Sequence, residues 1–267
     1  MKSSDKELIY LFCVTGRLPK LKEAEDLAGN AHFIFYQGLY AVANRVSADE
    51  FSEENLKKNL ANLEWIQTKA SIHEQVIEAV MRNACVIPFK FGTLFNTEEN
   101  LKTMLKKHIG GFKDTLKYLE DKEEWGVKIY CQTERLKKNL IQDDKELLNL
   151  DKEINSASPG KAFIFKKKKE ELVNTIVNKK LNEYGQDSFE RLKQHSIQSH
   201  INKLLPQEVT ERKDDMILNS VFLIDKNKVA DFVNTVEGIK IRYADQGLFF
   251  DCTGPWPPYN FTIIEKA

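Results

Sequence analysis

The sequence predicts an α+β protein with two domains, and three observations lead to this fold class. At 267 residues the chain is too long for one small core. Its 42% hydrophobic and 30% charged residues are typical of a globular protein with much helix. Short β-branched and aromatic runs alternate with long segments in which apolar residues recur every three or four positions. We therefore expect an N-terminal ferredoxin-like domain over residues 1–133 and a C-terminal domain over residues 134–267.

The N-terminal domain begins with three predicted strands. Residues 8–15 are rich in β-branched and aromatic side chains, which indicates a buried strand. Residues 20–28 form either a short helix or a loop. Two further strands, at residues 31–36 and 39–46, flank Gln37-Gly38, a pair that indicates a hairpin.

Two amphipathic helices and two more strands complete this domain. Ser52 is a favourable N-cap, and the apolar positions after it predict one helix of about eight turns over residues 53–82. Residues 85–91 are predicted as a strand, which tolerates Pro88 only at an edge or at a bulge. Thr97 caps the second helix, and residues 125–132 form the last strand. We expect a single open sheet with both helices covering one of its faces.

The C-terminal domain is predicted in three parts. Residues 134–205 are largely helical and charged, with a break at Ser158-Pro159-Gly160, and form a semi-exposed helical arm or a hairpin of helices. Residues 215–253 form a second small α+β unit, and residues 254–267 are a Pro-aromatic arm. Within the α+β unit we predict strands at 217–224, 239–243 and 248–251 and a helix at 226–236. The sequence shows no strong internal repeat.

The segment Gly254-Pro255-Trp256-Pro257-Pro258-Tyr259-Asn260-Phe261 is the most informative part of the chain. Proline has a fixed φ and no amide N–H, so we expect an extended, polyproline-like path. The period of three residues per turn places Trp256 and Tyr259 on one face. Two interpretations stay open. The arm either seals the core of its own protein or docks its rings into the groove of a partner.

The sequence carries no signature of catalysis or of cofactor binding. Gly-rich phosphate loops, the nucleophile elbow of hydrolases and the zincin motif are absent from the 267 residues. Cys13, Cys85, Cys131 and Cys252 stand singly, without the spacing of zinc or redox sites. We therefore expect no catalytic residue, no metal site, no cofactor and no enzymatic activity.

Charge and hydropathy narrow the range of partners and locations. Lys plus Arg and Asp plus Glu both number 40, and this balance argues against a dedicated nucleic-acid binder. The basic run at residues 166–169 is followed by Glu170-Glu171, with which it can pair on a helix as a solvated face; the alternative is a contact with nucleic acid or an acidic partner. The longest apolar run, residues 8–14, is too short for a membrane span, and the N-terminus does not resemble a signal peptide. We expect a cytoplasmic protein without a membrane span.

Four stretches of the chain resemble the gas vesicle protein GvpL/GvpF family. They are Leu63-Glu64-Trp65 with His73, residues 87–95, residues 124–130, and residues 254–261 together with Ser158-Pro159-Gly160. These stretches span both predicted domains, so the resemblance covers nearly the whole chain. Lys90 is a departure, because many members of the family have an arginine there. Lysine keeps the positive charge of arginine but lacks its planar guanidinium group.

The resemblance implies a non-enzymatic accessory or minor structural protein that is required for gas vesicle formation. It also implies a ferredoxin-like N-terminal domain, contact with the hydrophobic shell protein GvpA and, as further candidates, contact with other accessory proteins. The implied location is the gas vesicle or the cytoplasm. The alternatives are a ligand-sensing regulator and an RNA-binding module on ferredoxin-like domains.

The residues that we predict to bind a partner lie in the Pro-aromatic arm and around Gly92. In the second group, three aromatic rings surround one cation, which is typical either of a core or of an aromatic surface patch. The predicted residues are Trp256, Tyr259, Phe261, Phe89, Lys90, Phe91 and Phe95.

Overall fold

The computed structural model describes residues 6–18, 20 and 22–262. The chain forms two compact units, one of Met1–Glu124 with Pro255–Ala267 and the other of Trp125–Gly254. Each unit contains its own sheet, and both sheets are antiparallel. The predicted α+β class is therefore confirmed.

The limits of the two units differ from the predicted domain limits. We expected a boundary near residue 133 and assigned residues 254–267 to the second domain. The structure divides the chain after Glu124 and returns Pro255 and the residues after it to the first unit. The strand that begins near the boundary pairs within the second sheet, and Tyr259 packs against the core of the first unit.

The first sheet has the strand order of a ferredoxin-like fold. Its strands are β1 (Glu7–Thr15), β2 (His32–Tyr36), β3 (Leu39–Ser47), β4 (Val86–Pro88) and β5 (Leu94–Phe95). The order is β2-β3-β1-β4, and β5 pairs with β1 as well. Strand β4, which contains the proline, is an edge strand as predicted. The predicted hairpin joins β2 to β3, with positive φ at both Gln37 (46°) and Gly38 (87°), as a type I′ turn requires.

Helices cover both faces of the first sheet. The helices of this unit are α1 (Lys22–Ala28), α2 (Ala48–Phe51), α3 (Glu53–Asn59), α4 (Leu63–Met81) and α5 (Glu98–Leu119). On β1, Tyr10 and Phe12 pack in the cluster that contains α1 and α4, whereas Ile9 and Leu11 pack in the cluster that contains α5. The prediction that the two long helices share one face was wrong, because β1 is apolar on both faces.

The helix predicted over residues 53–82 is interrupted. Helix α3 ends at Asn59, and α4 begins at Leu63 after Asn62, which adopts φ −97° and ψ 108°. The side chain of Asn62 accepts a hydrogen bond from the Trp65 amide at 3.2 Å. Ser52, the predicted cap, makes no such bond. Asn62 starts α4 because its side chain replaces a missing intrahelical partner of the first turn.

The second unit repeats the order of elements of the first. Its strands are β6 (Lys122–Cys131), β7 (Gln198–Ile201), β8 (Asp215–Asp225) and β9 (Leu248–Trp256), in the order β7-β8-β6-β9. Its helices are α6 (Thr133–Asp143), α7 (Lys145–Ser156), α8 (Pro159–Lys193), α9 (Gln207–Thr210) and α10 (Val229–Arg242). Each unit therefore follows a β-α-β-β-α-β path with the same strand order. The sequence did not reveal this repeat.

One predicted element of the second unit was wrong. Residues 239–243 were predicted as a strand but lie at the end of α10 and just after it, because Phe232, Val236 and Ile239 form one buried helical stripe. Residues 134–205 are largely helical, as predicted, because α6, α7 and α8 lie in this region, which also includes strand β7. Helix α8 begins at the predicted break, with Pro159 at its first turn.

Candidate functional site

A buried histidine connects the C-terminal segment to the rest of the first unit. His73 on α4 is 1% exposed. Its Nδ1 lies 2.9 Å from the Tyr10 hydroxyl, and its Nε2 lies 3.0 Å from the Phe89 carbonyl oxygen and 3.2 Å from the Tyr259 hydroxyl. A carbonyl can only accept, so Nε2 carries the proton and Nδ1 accepts from Tyr10. The imidazole therefore bridges β1, the segment after β4 and the C-terminal segment.

The hydrogen bonds continue beyond the imidazole in both directions. The Gly92 amide donates to the Tyr10 hydroxyl at 3.1 Å, and the Tyr259 hydroxyl donates to Glu74 Oε1 at 2.9 Å. Gly92 has φ +80°, a backbone conformation that residues other than glycine rarely adopt. A continuous chain of donors and acceptors thus runs from Gly92 through Tyr10, His73 and Tyr259 to Glu74. We call these five residues the His73 network.

Burial sets the protonation states of this network. It lowers the pKa of His73 to about 4, against the opposing effect of the bond to Phe89, so the imidazole is neutral near pH 7. Burial also raises the pKa of Tyr10, and it raises the pKa of Tyr259 with a further contribution from the Glu74 charge. A neutral imidazole with both nitrogens hydrogen-bonded is suited to fixing structure rather than to accepting a proton from a substrate.

A second contact holds the C-terminal segment through Glu124. This carboxylate is 3% exposed. Its Oε2 accepts from the Asn260 amide at 3.0 Å, and its Oε1 accepts from Asn260 Nδ2 at 2.6 Å. Burial raises the pKa of Glu124 to about 7, although the two bonds from Asn260 favour the ionised form. Phe261, the next residue, is 3% exposed. The segment is therefore anchored by polar contacts and by an aromatic ring.

The C-terminal segment is extended over only part of its length. Strand β9 runs through Pro255 to Trp256, and Gly254 has φ 151°, where glycine is favoured. The chain then turns, with hydrogen bonds from Tyr259 N to Pro257 O at 2.7 Å and from Phe261 N to Pro258 O at 3.2 Å. The predicted polyproline path was wrong beyond Trp256. Trp256 is 43% exposed whereas Tyr259 is half-buried, so the two rings do not share one exposed face.

The predicted partner-binding residues lie in different environments. Phe91 and Tyr259 pack in the cluster around Tyr10, and the Phe91 ring meets His73 edge-on at 5.8 Å between centroids. Phe89 and Phe95 pack in the cluster on the opposite face of the sheet. Lys90 and Trp256 are exposed, and Phe261 is buried. The structure therefore brings three of the seven residues together around His73, namely Phe89 through its carbonyl oxygen, Phe91 and Tyr259, and separates the others.

Two neighbouring cavities lie on either side of Phe51, a residue that the sequence did not single out. One has a volume of about 290 Å³ and includes Tyr10, Phe12, Phe51, Ile72 and Phe91 in its lining. The other has a volume of about 490 Å³ and includes Leu8, Phe51, Leu56, Gly92 and Phe95 in its lining. We call the two cavities together the Phe51 groove. Phe51 escaped detection because it belongs to the four-residue helix α2, too short for a periodic pattern.

Charged side chains frame this apolar lining. Lys69 Nζ lies 2.8 Å from Glu50 Oε1, which also accepts from Trp65 Nε1 at 2.7 Å. Arg45 pairs with Glu98 at 2.7 Å. Protein interfaces commonly combine an apolar, aromatic centre with a polar rim. The Phe51 groove has this composition.

The described residues give no indication of metal chemistry or of a membrane span. Within 6–18, 20 and 22–262, no group of three or more His, Cys, Asp or Glu side chains could hold a metal ion. In the same ranges, no helix combines the length and the apolar character that crossing a bilayer requires. All four cysteines are free thiols.

The fold and the site together define a two-unit α+β protein whose C-terminal segment is anchored in its first unit. The chain belongs to the family described as "Gas vesicle synthesis protein GvpL/GvpF", whose model matches residues 8–262. The resemblance found in the sequence is thus confirmed, and membership supports a role in gas vesicle formation.

Relatives in sequence and in structure carry the same family names. The chain is 23% identical to gas vesicle protein L of Streptomyces sp. (strain CB03234), over 98% of this chain and 96% of that protein. It is 24% identical to gas vesicle protein F of the same strain, over 71% of this chain and 75% of the relative.

Two crystal structures share its fold. GvpF from Anabaena sp. PCC7120 superposes with a TM-score of 0.75 at 18% identity, covering 97% of this chain and 100% of that one. GvpF from Microcystis aeruginosa gives a TM-score of 0.65 at 17% identity, covering 96% and 99%.

Proposed function

We propose that this protein is a non-enzymatic assembly factor that binds the hydrophobic shell protein GvpA in the cytoplasm during gas vesicle formation. Other accessory proteins are further candidate partners. The observation that carries the proposal is the Phe51 groove, an apolar and aromatic concavity with charged residues at its edge. A subunit that assembles around gas has apolar surface that must be covered before assembly, and such a groove can cover part of it.

The composition of the groove supports an apolar partner. Phe51 lines both cavities, and Leu56 and Phe95 extend the apolar lining toward β5. Aromatic and aliphatic anchors in pockets supply most of the affinity of protein interfaces. The ion pairs at the edge contribute little affinity but disfavour wrong orientations.

The C-terminal segment has two separable roles in this proposal. Tyr259 fixes His73, whose ring contacts Phe91 in the wall of the groove, and therefore shapes the site from inside. Trp256 is 43% exposed and is the aromatic residue of the segment that is placed to touch a partner. The sealing and docking interpretations of the arm thus apply to different residues.

The experiment uses cells that lack their own copy of this gene and that express tagged variants of the full chain. The wild type is expected to restore vesicles and to co-purify GvpA. Trp256→Ala should capture less GvpA and lower the melting temperature less than Tyr259→Ala does, because Trp256 is the more exposed of the two residues. If the wild type restores vesicles but captures no GvpA under crosslinking, binding of the shell protein is not its function.

A further inference from the structure

A pocket in the second unit collects hydrogen-bond donors that the proposed function does not use. It lies between the end of α8 and the middle of α10 and has a volume of about 390 Å³. Its lining includes Arg191, Gln194, His195, Thr235, Gly238 and Arg242. Most of these side chains donate hydrogen bonds, and two carry a permanent positive charge.

The two arginines keep donors available for a ligand. Arg191 uses its Nε to bind Asp187 Oδ2 at 2.8 Å, and neither of its Nη atoms has a hydrogen-bond partner in the described part of the chain. Arg242 forms no ion pair there, and its guanidinium lies 5.6 Å from the centroid of the Tyr243 ring. Asp187 also accepts from the Tyr243 hydroxyl at 2.7 Å. Asp187 therefore pairs directly with Arg191, whereas its interaction with Arg242 is coulombic only.

The polar side chains beside the arginines are held in place by local bonds. Thr235 Oγ1 donates to the Asp231 carbonyl oxygen at 2.8 Å and lies 3.1 Å from His195 Nε2. Because the hydroxyl proton is already used, the His195 Nε2–H donates to Thr235. The imidazole orientation is thus fixed at the wall of the pocket.

Gly238 belongs to the lining of the pocket and is exposed. Glycine is among the least favourable residues in a helix interior, and Gly238 lies in the middle of α10. A Cβ built at this position meets no atom within 4 Å, so close packing does not explain the glycine. The position is therefore open, and a larger side chain placed there would project into the pocket.

We propose that this pocket binds a phosphate group carried by a small molecule. Guanidinium groups from two helices line the pocket together with the Gln194 amide. That arrangement suits the oxygens of a tetrahedral anion, whereas a single planar arginine fork satisfies a carboxylate. The volume exceeds that of free phosphate and falls in the range of small-ligand sites. The negative charge of a phosphate ester complements the two guanidinium groups of the lining.

The test is titration calorimetry of the full chain at constant ionic strength with phenyl phosphate, inorganic phosphate and acetate. We expect phenyl phosphate to bind, and acetate to bind at least about 10-fold more weakly. Arg242→Gln and Gly238→Leu should each weaken binding of phenyl phosphate by about 10-fold or more. Lys240→Gln is the matched control, because Lys240 lies on α10 outside the lining and pairs with Glu237. It should leave the affinity unchanged.

Melting curves of the same variants separate loss of the site from loss of the fold. Gly238→Leu should melt no lower than the wild type, since it replaces a helix glycine. Inorganic phosphate binding as tightly as phenyl phosphate would identify the free anion as the ligand. Absence of binding by both phosphates, equal affinity for acetate, or equal effects of Arg242→Gln and Lys240→Gln would overturn the proposal.

Discussion

At the scale of single residues, the Tyr259 hydroxyl joins two buried polar groups of the first unit. It lies 3.2 Å from His73 Nε2 and donates to Glu74 at 2.9 Å. Removing it leaves the half-buried Glu74 carboxylate without this donor. We expect Tyr259→Phe to lower the free energy of unfolding by about 1–3 kcal/mol, measured by urea denaturation.

The matched control for this variant is Tyr40→Phe. The Tyr40 hydroxyl makes no hydrogen bond within the described residues, while its ring contacts Phe33 and Phe35. Its removal should change the unfolding free energy by less than about 0.5 kcal/mol. Equal effects of the two substitutions would show that the hydroxyl of Tyr259 does not stabilise the His73 network.

Glu124 gives the first unit a pH dependence with a definite sign. Burial raises its pKa from the ordinary 4.5 to about 7, so the folded state binds this proton more tightly than the unfolded state. That stabilisation is complete below about pH 4.5 and is lost as the pH rises through about 7. The stability of the wild type relative to Glu124→Gln should therefore fall by about 3 kcal/mol from pH 4.5 to pH 8.

Urea midpoints of the wild type and of Glu124→Gln over this pH range provide the measurement. If the difference in stability between the wild type and Glu124→Gln stays constant with pH, Glu124 titrates near its ordinary pKa. If this difference grows in favour of the wild type as the pH rises, the bonds from Asn260 outweigh the cost of burial.

The sequence singled out Tyr259 but could not predict what it does. The aromatic and proline content made residues 254–261 conspicuous, and His73 belonged to one of the stretches that resemble the family. The contact between them joins positions 186 residues apart. No local pattern encodes such a separation, because it depends on the path of the whole chain.

At the scale of elements, the start of α4 depends on Asn62 rather than on the predicted cap at Ser52. Asn62→Ala removes the side chain that accepts from the Trp65 amide. It should cost about 1 kcal/mol of unfolding free energy. Ser52→Ala should cost much less, since Ser52 makes no capping bond through its side chain. Thermal melts of the two variants test the assignment, and a larger loss for Ser52→Ala would place the cap where the sequence suggested.

Elements with distinctive local chemistry could be predicted from the sequence. Gln37-Gly38 marked the hairpin, and Thr97 marked the start of α5, where it accepts from the Asn100 amide at 3.2 Å. The prediction of a strand over residues 239–243 was wrong because a short apolar run fits both the helical and the strand period. The stripe formed by Phe232, Val236 and Ile239 decides in favour of the helix.

At the scale of the whole molecule, the C-terminal segment belongs to the first unit, together with the N-terminal part of the chain. Truncation after Gly254 removes Tyr259, Asn260 and Phe261 and leaves the Glu124 carboxylate without the donors of Asn260. Hydrogen exchange followed by mass spectrometry should show faster exchange in β1 and α4, with little change in β8 and α10. Faster exchange confined to the second unit would contradict the assignment of this segment.

The repeated strand order of the two units could not be foreseen from local patterns. A strand order is set by pairing between distant segments, and β6 pairs with β8 and β9 rather than with the first sheet. The alternation of elements was sufficient to predict the fold class. It was not sufficient to predict to which sheet the strand near the boundary belongs.

The central claim, that the Phe51 groove binds the shell protein, is tested most directly with one pair of variants. Leu56→Glu places a charge in the lining of the groove, and Leu60→Glu places the same charge on an exposed leucine outside it. The measurement is the affinity of each purified variant for detergent-solubilised GvpA, with melting curves as a check on folding. We predict that Leu56→Glu weakens binding about 30- to 1,000-fold while Leu60→Glu binds like the wild type. Wild-type affinity of a folded Leu56→Glu variant would contradict the claim.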